Sequence, residues 1–400
     1  MNVFKKIYCR TFQTVFKLAL PLLPYREPEI LPDLNSIPSI LKKEKLKKPL
    51  IVTDAGLVKA GIEERLEIVL KANNVFYAVY DKTVPNPTTD NVAEALELYK
   101  KENCDCLIGL GGGSSMDCAK ALGARVAKPK KPLSKMKGIL KVNKKIPTLI
   151  AIPTTAGTGS ETTLAAVIVD SQTRHKYAIN DFTLIPKYAV LDPAVTLSLP
   201  PFITATTGMD ALTHAVEAYI GRSTTRKTRA QAEEAVKLIF ENLEKAYSDG
   251  GDVQARRNML HASYLAGCAF TKSYVGYVHA IAHSLGGAYN VPHGLANAVI
   301  LPMLLEDYGK SINKKLKKLA VAAGISSADT PSDTAAADFI SAVREMKNKF
   351  GIGDTFCEIR TEDIGKLAHY ADKEANPLYP VPVLFNAKQL QKFYYMLQEK

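Results

Sequence analysis

Five short apolar runs, 50-LIVTD-54, 75-VFYAVY-80, 106-CLIGL-110, 148-TLIAI-152 and 188-YAVLD-192, are separated by stretches of helical periodicity at about 57–72, 89–102 and 115–127. A strand that is apolar along its whole length has both faces covered, and helices between such strands make parallel crossovers. This alternation predicts an α/β domain built on a parallel, Rossmann-like sheet. After 199-LPPF-202 the pattern changes to helical periodicity alone, clearest at 208–220, 228–247, 254–270, 312–324, 332–349 and 386–398. The expected organisation is an α/β N-terminal domain over residues 1–202, with a helical extension at 1–24, and an all-α C-terminal domain over residues 203–400.

The third run leads into 111-GGGSSMDCAK-120 and then a helix. Glycine lets the backbone turn tightly and approach a ligand, and the N–H groups that open the next helix suit a pyrophosphate. Ser114 stands where the third glycine of GxGxxG would fall, so the turn alone is compatible with a purely structural role. Asp54 ends the first run, where a carboxylate accepts from ribose hydroxyls and repels a 2′-phosphate; this favours NAD(H) over NADP(H). It precedes the glycine turn instead of following it by about twenty residues, a departure from the usual Rossmann fingerprint. The hydroxyls and glycines of 153-PTTAGTGSET-162 read equally as an ordinary polar loop or as a cradle for the same ligand. Together these features predict a dinucleotide-binding domain.

Histidine is scarce, with seven in 400 residues, yet His279, His283 and His293 fall within fifteen positions. Asp210 and His214 are spaced i, i+4, which puts carboxylate and imidazole on one helix face, and His279 and His283 repeat that spacing. His293 follows in a Pro–His–Gly stretch read as a loop. Imidazoles and a carboxylate in apolar surroundings are costly unless paired or coordinated. A carboxylate with imidazoles and no thiolate suits a catalytic Fe(II), Zn(II) or Mn(II). His175, His261 and His369 are isolated and read as ordinary.

The formal net charge is +12, carried by 42-KKEKLKK-48, 128-KPKK-131 and 314-KKLKK-318. No aromatic residues interleave with these lysines, so they read as solvated surface and no nucleic-acid partner is expected. The six cysteines show no CxxC pair and no framework spacing, which points to a reduced, cytoplasmic chain. No run approaches the length of a transmembrane span. Phe4, Tyr8, Phe12, Phe16 and Leu20 repeat every fourth residue among Lys5, Lys6, Arg10 and Lys17. That predicts an amphipathic helix with a basic face, expected to pack on the protein's own body or a second subunit, with attachment to a membrane surface as the alternative. A signal peptide is not expected, because Lys17 interrupts the apolar region.

In 85-PNPT-88, 109-GLGGGSSMD-117, 153-PTTAGTGSE-161, 208-GMDALTHAVEAY-219 and 279-HAIAHSLGGAYNVPHG-294 the chain resembles the iron-containing (group III) alcohol dehydrogenases. The resemblance implies a metal held by Asp210, His214, His279 and His293, with Fe(II) expected ahead of Zn(II). It implies that His283 transfers or positions a proton, and that Asp54, Asn86, Gly111, Gly112, Gly113, Ser114, Thr154, Thr155, Thr158 and Lys176 contact the cofactor. The reaction implied is metal-dependent hydride transfer between NAD(H) and a short primary alcohol or diol, or the matching aldehyde. A homodimer or higher homo-oligomer is expected. Phe270, Tyr274, Tyr277 and Leu285 are expected to line the substrate pocket. The alternatives are a dehydroquinate synthase-like lyase on the same scaffold, and a basic protein binding nucleic acid or a membrane surface.

Overall fold

A computed structural model describes residues 1–399. It divides into two compact units: one holds Pro24–Leu199 with Gly251–Leu260, the other Met1–Leu23, Pro200–Gly250 and the chain from His261 onward. The helical extension expected within the N-terminal domain therefore groups with the helical half of the chain.

The first unit carries strands β1 (Glu29–Leu31), β2 (Pro49–Val52), β3 (Ala78–Tyr80), β4 (Cys106–Gly111), β5 (Gly138–Ile139), β6 (Leu149–Pro153), β7 (Ala165–Val169), β8 (Lys176–Asn180) and β9 (Tyr188–Val190). Six form one wholly parallel sheet in the order β1-β9-β6-β4-β2-β3. Leu50, Val52 and Leu107 face one apolar core, while Ile51, Ile108 and Ile150 face the other. Both faces are covered, which is why these strands read as unbroken apolar runs. Four strands were not anticipated. β1 and β5 are very short, and β7 and β8 form an antiparallel pair whose burial alternates along each strand, a weaker pattern than a continuous run.

The helices, in chain order, are α1 (Val3–Ala19), α2 (Ile37–Lys43), α3 (Ala55–Lys59), α4 (Ile62–Ala72), α5 (Thr89–Lys101), α6 (Gly113–Ala127), α7 (Pro201–Ile220), α8 (Arg226–Ser248), α9 (Val253–Ser273), α10 (Tyr277–Tyr289), α11 (His293–Tyr308), α12 (Asn313–Ala322), α13 (Ser332–Lys349), α14 (Ile364–Ala375) and α15 (Ala387–Leu397). Gly61, at φ 68°, divides the helical stretch expected over 57–72 into α3 and α4.

In the second unit, α7 is buried along nearly its whole length, so its one-sided polar residues point into protein. α1 lies against residues 372–382 through polar contacts. Arg10 donates to the carbonyls of Val381 (2.7 Å) and Pro382 (2.8 Å), Gln13 Nε2 to that of Tyr379 (2.7 Å), and Lys5 pairs with Asp372 at 2.9 Å. Phe4, Tyr8 and Phe12 are exposed, whereas Leu20 is buried. The four-residue repeat does not mark one packing face, because four residues turn a helix about 40° beyond a full revolution.

Candidate active site

α7 presents Asp210, His214 and Glu217 at i, i+4 and i+7, α10 supplies His279, and α11 begins at His293. His293 is thus the first residue of a helix and not part of a loop, a correction to the sequence reading. One donor atom from each of Asp210, His214, His279 and His293 lies within 4.8 Å of the others. Asp210 Oδ1 is 3.5 Å from His293 Nε2, 3.9 Å from His279 Nε2 and 4.0 Å from His214 Nδ1. Gly294 allows this convergence: a Cβ there would lie 2.4 Å from the Thr206 carbonyl oxygen of α7.

Glu217 orients His279. Its carboxylate accepts the N–H of Gly276 (2.8 Å) and of Val278 (2.8 Å), and sits 2.6 Å from His279 Nδ1. Burial pushes the Glu217 carboxyl up to about 7, against the donors that lower it. With a proton on Nδ1, the Nε2 lone pair of His279 points into the cluster. Burial, followed by the neighbouring imidazoles, holds the His279 pKa well below its ordinary value, so the ring is neutral and able to coordinate.

The donor set fits a divalent cation. Asn297 Nδ2 lies 2.6 Å from Asp210 Oδ1, 3.1 Å from His293 Nε2 and 3.3 Å from His279 Nε2, while its buried Oδ1 has no hydrogen-bond partner. Two amide protons cannot satisfy three converging acceptors, one of them a buried carboxylate, whereas a cation can. Three imidazoles and one carboxylate suit iron or zinc.

His283 is half-exposed, and its Nδ1 lies 2.6 Å from Glu374 Oε1, which also accepts the Tyr379 hydroxyl at 2.7 Å. Its ring stacks on that of His293, with centroids 5.1 Å apart. Of the residues expected to line a substrate pocket, Phe270 stacks on His214 at 4.2 Å. Tyr277 instead bonds Asn376 and the Phe385 carbonyl, and Leu285 is wholly buried, so neither fits that expectation. Tyr274 packs edge-on against Phe16 of α1.

In the sheet unit, β4 runs into α6 through Gly111–Gly113. Gly111 takes φ 148°, and a Cβ there would meet Ser115 Oγ at 2.6 Å, so only glycine makes this turn. Thr154 donates its N–H to the Gly111 carbonyl, and Thr155 and Thr158 face Gly112 and Gly113. Thr155 Oγ1 is buried without a partner beside this bare backbone, as a cradle for a phosphate would leave it. Ser114 Oγ accepts from the N–H of Asn86, whose side-chain oxygen accepts from Lys176 Nζ at 2.6 Å. Asp54 caps α3 through the N–H groups of Gly56 and Leu57. The residues expected at the cofactor therefore fall into two neighbouring sets around the turn.

Behind the turn, Lys120 donates to Ser160, Thr163 and the Ala165 carbonyl, and Asp117 accepts from Ser160 and the Val167 N–H. Burial lowers the Lys120 pKa to about 8, and Asp117 and then Glu161 oppose that shift. This network pins the 153–161 loop to α6. Sequence reading singled out neither residue of this pair, nor Glu217, Asn297 and Glu374. Glu217 and Asn297 did carry a signal, lying three residues from His214 and four from His293. Glu374 meets His283 across 91 positions and carried none.

A parallel nucleotide-type sheet with a glycine turn, and a helical unit with a three-histidine, one-carboxylate cluster, together define a metal-dependent dehydrogenase. Residues 32–193 match the family model for iron-containing alcohol dehydrogenase, and residues 204–397 match that for the C-terminal region of the Fe-containing alcohol dehydrogenase family. Alcohol dehydrogenase 4 of Saccharomyces cerevisiae is 39% identical over 354 residues, covering 88% of this chain and 91% of its own. The NAD-dependent methanol dehydrogenase of Bacillus methanolicus is 38% identical over 333 residues, covering 83% and 87%. The solved alcohol dehydrogenase from Oenococcus oeni superposes with a TM-score of 0.88 at 34% identity, covering 93% of this chain and 100% of that one. The chain belongs to the iron-containing alcohol dehydrogenase family, and it is an alcohol/aldehyde oxidoreductase. The lyase reading is not favoured. Among the described residues no helix is long and apolar enough to cross a membrane.

Proposed function

We propose that this enzyme interconverts short primary alcohols or diols and their aldehydes, with NAD(H) in preference to NADP(H) and Fe(II) in preference to Zn(II). The observation that carries the reading is the convergence of four donor atoms from Asp210, His214, His279 and His293. An ion held by these residues would supply Lewis acidity toward a substrate oxygen, and a dinucleotide whose pyrophosphate rests at the glycine turn would supply or take hydride through its nicotinamide. Glu217 and Asn297 orient the donors. In alcohol oxidation His283 takes up the hydroxyl proton on its ring, and in aldehyde reduction it returns it. Glu374 and Tyr379 hold that ring in place through Nδ1. Phe270 presents an apolar surface beside His214, suited to a short carbon chain.

Asn86, Gly111, Gly112, Gly113, Ser114, Thr154, Thr155, Thr158 and Lys176 form the cofactor cradle in this reading. Asp54 discriminates against a 2′-phosphate, so Asp54→Gly should raise turnover with NADPH relative to NADH; an unchanged ratio removes that role. The enzyme acts in the cytoplasm as a homodimer or larger homo-oligomer, and nucleic acid is not a partner. The deciding experiment follows NADH oxidation by anaerobically purified protein against a panel of short aldehydes, with chelator, Fe(II) or Zn(II). Turnover abolished by chelator and restored best by Fe(II) is expected. Folded protein that turns over none of the panel with either metal overturns the substrate assignment.

A further inference from the structure

α1 packs by a mixed inner side: Cys9 is buried and Phe16 meets Tyr274, while Lys5, Arg10 and Gln13 fasten it to residues 372–382. Its outer side presents Phe4 (84% exposed), Ile7 (59%), Tyr8 (60%), Val15 (62%) and Leu18 (72%). At 100° per residue, Phe4, Ile7, Tyr8, Thr11, Thr14, Val15 and Leu18 share one side, and no charge falls among them. Lys6 and Lys17 stand exposed along one flank of that stripe.

We propose that the outer face of α1 is a peripheral membrane-binding surface that lies in the plane of an anionic phospholipid interface. Charge complementarity selects this occupant. Lys6 and Lys17 are exposed cations beside the stripe, Lys5 and Arg10 being engaged on the inner side, and the first acidic residue of the chain is Glu27. An apolar stripe enters the acyl boundary while flanking lysines reach the headgroup phosphates, the pattern of an interfacial helix. A second copy is a poorer fit: pairing α1 with α1 opposes cation to cation, and the chain as a whole carries +12. The attachment is independent of the catalytic reading, since none of these residues belongs to either site.

The test is flotation of the full-length enzyme with vesicles of phosphatidylcholine mixed with phosphatidylglycerol, and with vesicles of phosphatidylcholine alone. The wild type should float with the mixed vesicles only, and high salt should release it. The triple variant Phe4→Ser/Ile7→Ser/Leu18→Ser should stay behind while keeping wild-type turnover and melting. Lys6→Gln and Lys17→Gln should each lower partitioning about fivefold. If the triple variant does not fold, the lysine pair decides, and undiminished flotation with both neutralised overturns the proposal. Failure of the wild type to float overturns it as well. So does a dimer that the triple variant converts to monomer without any vesicle binding, which would assign the face to a second copy.

Discussion

His279 is wholly enclosed, with Glu217 on one ring nitrogen and the metal-donor cluster on the other. Burial depresses its pKa, so between its folded value and the ordinary 6.5 the unfolded chain holds a proton that the folded chain does not. Its contribution is therefore complete above pH 6.5 and is lost as the pH falls below that value. Because the raised Glu217 carboxyl contributes the opposite slope in the same range, the test is the difference in melting stability between metal-free wild type and His279→Gln. As the pH falls, that difference should shift against the wild type by about 1.4 kcal/mol per pH unit. Glu217→Gln removes the carboxylate that selects the tautomer. It should weaken Fe(II) or Co(II) binding about 10–100-fold by titration, whereas metal affinity equal to wild type would reduce Glu217 to a structural residue. At this scale the candidate donors were legible, because a scarce residue type recurred at helical spacing, and the family resemblance set His283 apart from the other four. Glu217 was less so, since a carboxylate near a helical histidine also reads as surface. Glu374 becomes adjacent to His283 only once α14 meets α10.

Between elements, the site depends on how closely α11 approaches α7. Gly294 and the Thr206 carbonyl touch where any side chain would collide. Gly294→Ala should cost about 1–3 kcal/mol in urea unfolding and weaken metal binding, by pushing His293 away from Asp210. Loss of stability with metal affinity intact would show that the contact is packing alone. The central strands β2, β4 and β6 were legible from unbroken apolar runs. The β7–β8 pair was not, because its faces differ in burial and its polar positions blur the pattern. α1 was recognised as a helix, but its outward face was not, since a four-residue repeat winds around the axis.

Across the whole chain, all four donors lie in the helical unit and come from α7, α10 and α11. An ion that binds them only when folded adds about 2.7 kcal/mol at a hundredfold excess over its Kd. Chelator should therefore lower the melting transition of that unit by several degrees, and the same treatment of His279→Ala should leave its transition where it was. A chelator effect equal in both proteins would place the stabilising ion elsewhere.

The sequence by itself determined the α/β and all-α halves and the glycine turn, and it singled out Asp210 and the clustered histidines as candidate donors. Each of these rests on local periodicity or on residue types that chemistry restricts, whereas the division into four donors and His283 is what the family resemblance implies. Tertiary structure decided which strands neighbour one another and that His293 opens a helix. It also decided that Glu217, Asn297 and Glu374 support the site, and that α1 turns its apolar side outward. These are contacts between residues far apart in the chain, and no local spacing encodes them.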